Sequence, residues 1–301
     1  MSDPNRPNLF RYLNRCRTPE GGYCYFRDPE SGAGFPNVAD TYWALSAFRF
    51  LESDPPFLSL TRTWLRNEFE QNEGAHISPY LFWTMGGLRL AGADISTKDR
   101  LCLAKETERL LNDWTTPSAL PSLLADLVAV LSLRRDLDLP LSENEKGILR
   151  DLLAREKVLP RPLPLPELRR RIFLMGETGL FRNGTIESEL SLEREYRHPV
   201  FGYVLVPGSS RSDLFVLESG LLMRRNHLSP YETETLENLI LSCQSREGGF
   251  GPVGGAVPTL EATCMAFELL FLLFHFSSTT DTKNGNFSAI CRAPSHGHRE
   301  M

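Results

Sequence analysis

Six stretches of this chain are apolar around most of their circumference, and amphipathic segments separate them. The apolar runs open near Asp40 (NVADTYWALSAFRFLES), Ser78 (AHISPYLFWTMGGLRLAG), Pro121 (PSALPSLLADLVAVLSLRR), Glu167 (LPLPELRRRIFLMGETG), Asp213 (SSRSDLFVLESGLLMRRN) and Glu261 (VPTLEATCMAFELLFLL). The fourth is the weakest, because three arginines interrupt it. The runs recur at intervals of roughly 45 residues, the signature of a structural repeat. Four segments between them carry apolar positions at helical spacing: 57–69, 96–114, 142–157 and 229–244. Ser96 is placed to cap the second, Ser142 and Glu145 form a capping-box pattern, and Ser229 precedes Pro230 at a first helical position. The best strand candidate is VFGYVLVPG at 200–208.

Two near-copies of one phrase flank the array, RCRTPEGGY at 15–23 and SCQSREGGF at 242–250. Paired glycines after an amphipathic helix predict a left-handed stop and a tight turn, with Gln244 and Glu247 able to bond freed backbone groups. A unit of one apolar and one amphipathic helix cannot bury its faces alone and must stack on its neighbours. An open superhelix and a closed ring of six hairpins both satisfy that need. The likeness of the first and last phrases favours the ring, because open arrays end in atypical units. The expected fold is all-α, with apolar helices inside and amphipathic helices outside, over residues 1–276 as one domain. Residues 277–301 are polar and read as a disordered tail.

Composition narrows function by exclusion. The net charge is −5 and hydrophobic residues make up 41% of the chain, so no basic signature points to nucleic acid. The first residues lack a signal-peptide layout, and the most apolar run, CMAFELLFLLFHF at 264–276, is broken by Glu268. No membrane span is expected. The six cysteines form no CxxC pair, which points to reduced thiols and a cytoplasmic setting. Phosphate-loop, dinucleotide, HExxH and GxSxG motifs are absent.

The strings CQSREGGFGPVGG…PTLEATCMAFELL and EGGYCYFRDPESGAGFPNVADTYWALSAF resemble repeats of protein prenyltransferase β subunits and of the related squalene and terpenoid cyclases. The resemblance is specific at the two ends and faint between them. It implies an α/α toroid around an aromatic-lined funnel, an isoprenoid or other apolar small-molecule ligand, and prenyl transfer or cyclisation as chemistry. It also implies a possible helical-repeat partner subunit. A non-catalytic lipid-binding or protein-interaction toroid is the alternative.

Transferases of this kind hold zinc through Asp, Cys and His. Asp40 matches the acid, but Tyr42 stands where Cys is expected and Cys264 where His is expected, so two of three zinc ligands differ. The cyclase acid motif is likewise partial: RRDLDLP offers Asp136 and Asp138 and reads as a surface loop. Asp40, Asp213 and Glu261 open inner helices and are the candidate catalytic acids, with helix capping as the plainer role. Arg27, Arg197, His198 and Arg211 are candidate rim cations for a diphosphate. Tyr42, Trp43, Tyr80, Phe82, Trp83, Phe215, Phe267 and Cys264 are candidate wall residues, and their aromatic faces could steady a carbocation. His76 and His227 are read as surface histidines.

Overall fold

A computed structural model describes residues 6–25, 34–113, 120–155, 162–179, 190–224 and 228–278. All six apolar runs are helices: α2 (Val38–Phe50), α4 (Tyr80–Leu90), α6 (Leu120–Asp136), α8 (Leu165–Glu177), α9 (Leu214–Met223) and α11 (Leu260–Ser278). The amphipathic segments form α3 (Leu58–Gln71), α5 (Thr97–Asp113), α7 (Glu143–Arg155) and α10 (Pro230–Ser242), and α1 (Arg6–Arg15) precedes them. Their caps are the ones the sequence advertises. Ser229 and Glu232 close a full capping box with Pro230 in the first turn. Ser142 and Glu145 exchange side chain-to-backbone bonds, and so do Ser96 and Asp99.

The apolar helices pack in the order α2–α4–α6–α8–α9–α11, and α11 then packs on α2. The ring closes head to tail. Cross-helix contacts join like heights: Tyr42 meets Phe82, Arg169 meets Glu218, and Arg89 meets Asp136. The inner helices therefore run parallel. Outer helices α3, α5, α7 and α10 back α4, α6, α8 and α11. One large apolar cluster runs through most of the ring, and a second, built on Leu9, Leu13, Tyr23, Phe48 and Leu260, fills the seam between α1, α2 and α11. Truncating a fully buried leucine in such a core costs about 2–5 kcal/mol.

The two Gly-Gly phrases are one structure built twice. In the first, Thr18 N–H donates to Gly22 O, Cys24 N–H to Cys16 O, and Asn37 N–H to Tyr23 O. In the second, Ser245 N–H donates to Gly249 O, Gly251 N–H to Cys243 O, and Thr259 N–H to Phe250 O. Tyr23 N–H donates to the Thr41 hydroxyl and Phe250 N–H to the Thr263 hydroxyl, each at 2.9 Å. Gly21 (φ 107°) and Gly248 (φ 101°) take the left-handed position. Gly21 rests on Leu60 of α3, whereas Gly248 rests on Asn8 of α1. The last turn thus docks on the first outer helix as the first turn docks on the second, so the outer layer closes as well.

Two expectations change. The strand expected at 200–208 shrinks to the two-residue pair β1 (Arg197–His198) and β2 (Gly202–Tyr203), with exposed Val200 in the turn. Its apolar side chains serve helix packing: Tyr203 lies over Gly220, where a Cβ would collide with its ring. His76 is half-buried in a 3-10 turn (Glu73–His76), with Nε2 2.9 Å from Phe69 O and its ring on Phe69. His227 and almost all of the 277–301 segment lie outside the described residues. Among the described residues no helix is long and apolar enough to cross a membrane.

Candidate functional site

On each inner helix the residues touching neighbours and the outer layer are buried, and one stripe stays half-buried. On α2 that stripe is Ala39, Tyr42, Trp43, Ser46 and Arg49, at spacings of three and four. It is the face turned to the middle of the ring. The corresponding stripes carry Phe82, Trp83 and Arg89 on α4, Arg169, Arg170 and Phe173 on α8, Phe215 and Glu218 on α9, and Glu261 and Glu268 on α11.

The interior has an aromatic side and a charged side. Tyr42 packs edge-on against Trp43 and tilted against Phe82, both with centroids 4.9 Å apart. Gly86 makes room for it, since a Cβ there would sit 2.8 Å from the Tyr42 ring. Trp83 is met by Tyr80, which is half exposed at the helix start. Opposite, Arg169 pairs with Glu218 at 2.6 Å between α8 and α9. Lower down, Arg89 pairs with Asp136 at 2.9 Å and Arg135 with Glu177 at 3.6 Å. Asp136 is thus no surface-loop residue. It ends α6, and burial raises its carboxyl above the usual range against the pull of Arg89, Arg135 and Arg49. Asp138 lies in the turn beyond it, at φ 54°.

The three candidate acids separate. Asp40 is buried and turned back toward its own helix start, accepting from Asn37 Nδ2 at 2.8 Å and Tyr25 N–H at 3.2 Å. Asp213 is the N-cap of α9, its carboxylate accepting from Val216 N–H at 2.9 Å. Glu261 lies on the interior stripe, its carboxyl raised by burial and then by Glu218 and Asp40. Asp40 and Glu261, though each opens an inner helix, do not occupy matching positions. The shared Thr41/Thr263 hydrogen bonds align Asp40 with Ala262, Tyr42 with Cys264, and Ser46 with Glu268.

Two of the proposed rim cations are committed elsewhere. Arg197 holds Glu193 through two bonds of 2.8 and 2.7 Å, and Tyr203 also donates to Glu193. His198 Nδ1 accepts from Val200 and Phe201 N–H, and its ring stacks on Phe201. A His198 spent on its own turn is a hairpin residue. Arg211 is exposed ahead of α9, and Arg27 lies outside the described residues. Phe267 packs edge-on against Phe250, within the seam.

Glu268, which in the sequence only breaks an apolar run, has a place in the interior. It faces the interior at mid-helix, and burial with nearby Glu218 pushes its carboxyl up to about 7, against the pull of Arg169. A lone acid in the most apolar run, 264–276, is the available signal. Ser46 and Glu218 had none: each looks like an ordinary polar residue in a helix.

A sequence model of the prenyltransferase alpha-alpha toroid domain matches residues 1–103 and 212–299, more than half of the chain. The chain belongs to the prenyltransferase alpha-alpha toroid family. No curated protein sequence matches it. The matched segments are the two arms that meet at the seam, and the unmatched middle holds the arginine-interrupted α8 and the second 3-10 turn (Leu192–Tyr196) and hairpin that precede α9.

The residues of this toroid do not fit a zinc ion at the seam. Asp40 is held by its helix start and Tyr42 offers a phenol where the set needs a thiol or an imidazole, which leaves Cys264 as a single donor. A zinc ligand has to be a thiolate, an imidazole or a carboxylate free to turn toward the ion. Among the described residues no three His, Cys, Asp or Glu side chains group as metal ligands.

Proposed function

We propose that this toroid binds an isoprenoid chain in its interior, laid along the wall formed by Tyr42, Trp43, Phe82 and Trp83. The carrying observation is that wall: interlocked aromatics on two adjacent inner helices, half-buried and facing the ring's middle. Aromatic faces suit a branched, unsaturated chain, which buries apolar area at about 25 cal/mol per Å². The groups beside this wall at the seam are Cys264 and Glu268, so transfer or cyclisation, if the bound chain reacts, runs against those two side chains. A protonated Glu268 can donate a proton, but an acid with a pKa near 7 is a weak donor to an alkene.

A second reading is a carrier or scaffold without turnover, free of the family's chemistry because several of its candidate acids and cations are spent. It is favoured by the commitment of Asp40 and Asp213 to helix starts and of Arg197 and His198 to local partners. Native mass spectrometry of the purified full chain tests the shared core of both. A co-purifying isoprenoid, or retention of added geranylgeraniol or geranylgeranyl diphosphate with a change in tryptophan emission, supports the proposal. A chain that retains none of them, with emission unchanged, rejects it. Product analysis after incubation then separates enzyme from carrier.

A further inference from the structure

We propose that the seam site selects an uncharged isoprenoid ending in a hydroxyl or carbonyl oxygen over the corresponding diphosphate. This rests on the isoprenoid-binding reading above and specifies the head group of the same ligand.

The first argument is what the seam presents. The structurally matched positions Tyr42 and Cys264, then Ser46 and Glu268 one turn on, bring a phenol, a thiol, a hydroxyl and a carboxyl together where α2 meets α11. Ser46 lies beside both the Tyr42 phenol and the Cys264 thiol, so the groups of the two helices share one polar patch. Burial disfavours the charged form of Tyr42, Cys264 and Glu268. A hydroxyl can accept from and donate to such neutral groups and a carbonyl oxygen can accept from them, and buried polar groups left unsatisfied are costly.

The second argument is where the positive charge is spent. Arg169, which faces Glu268 electrostatically, is bonded to Glu218 at 2.6 Å. Arg89 and Arg135 are paired with Asp136 and Glu177. Arg170 lies among Arg169, Glu167 and Glu218, and burial lowers its pKa. Around the seam itself the charged or titratable neighbours are Glu218, Glu261, Glu268 and Asp136, with Arg169 and, one turn beyond Ser46, Arg49. A diphosphate would bring its charge beside four carboxyl groups, against an Arg169 already held by Glu218 and an Arg49 whose charge is answered by Asp136. Taking an anion from water without free cations to meet it is unfavourable.

The test compares geranylgeraniol, geranylgeranyl diphosphate and a straight-chain alcohol of equal length, titrated into the full chain by calorimetry and tryptophan emission. The expected result is that geranylgeraniol binds at least about tenfold tighter than the diphosphate. Tyr42→Phe and Glu268→Gln separate the roles: loss of the phenol hydroxyl weakens the alcohol severalfold, whereas the amide, still a neutral donor, preserves the preference. Far-ultraviolet circular dichroism checks that both variants fold. Equal or tighter binding of the diphosphate overturns the inference and leaves the isoprenoid reading standing. Binding of neither isoprenoid, or equal binding of the straight-chain alcohol, removes the isoprenoid reading and the inference with it.

Discussion

The first and last turns of the ring share a scaffold and differ in their cargo. Each has the same backbone bonds, the same left-handed glycine and the same threonine hydroxyl receiving the aromatic residue's N–H. Yet the helices they launch diverge at every position that faces inward or caps. Asn37 caps α2 with its side chain on Asp40 N–H, while Thr259 bonds Ala262 N–H. Tyr42 stands against Cys264 and Ser46 against Glu268. The frame is therefore repeated because closure requires it, and the interior is free to change because closure does not depend on it.

The sharpest way to break this comparison is through the turn glycines. Gly248→Ala puts a Cβ into the Asn8 backbone of α1 at a left-handed position, and Gly21→Ala puts one 2.9 Å from the Leu60 backbone. We expect each to cost about 2–4 kcal/mol in urea unfolding, with Gly248→Ala the worse because it also opens the seam. Thr41→Val and Thr263→Val each strand a buried N–H and should cost about 1–3 kcal/mol, alike in both copies. Unequal costs would show that the two turns are not equivalent supports.

Glu268 sharpens the contrast through pH. Its folded-state pKa, pushed up to about 7, lies above the ordinary glutamate value. The folded state therefore holds the proton more tightly, so stability is fully present below the unfolded-state pKa and is lost as pH rises through about 7. Glu268→Gln should remove that loss, a difference of roughly 1–3 kcal/mol between mildly acidic and alkaline solution. The matched residue Ser46 carries no such dependence, so Ser46→Ala should leave the pH profile's shape unchanged. The smallest effect belongs to the exposed pair of Arg15 and Glu247, 3.2 Å apart across the seam. Arg15→Ala should change stability by about 0–1 kcal/mol, because solvent already screens it.

The frame was legible in the sequence because its signals are local. Ser142/Glu145, Ser229/Pro230 and the paired glycines announce helix ends in strings of a few residues, and the period shows in the apolar runs. Closure needed only the likeness of the two end phrases. The site was less legible because burial and pairing are decided across helices. Nothing near Arg197 says that Glu193 will hold it, nothing near Asp136 says that Arg89 will reach it, and Asp40 and Glu261 align by eye but not by hydrogen bonds. Glu268 was visible but uninterpreted, since its meaning comes from Glu218 and Arg169 on other helices.

Head-to-tail closure carries the whole account, and spin labels at Arg15 and Glu247 measure it directly. Both side chains are exposed, and they touch only because the last turn docks on the first outer helix. Closure predicts strong dipolar broadening between the two labels in the native chain, abolished on unfolding. Native spectra that equal the sum of the two singly labelled spectra would mean that the ends stand apart, and the seam site would not exist.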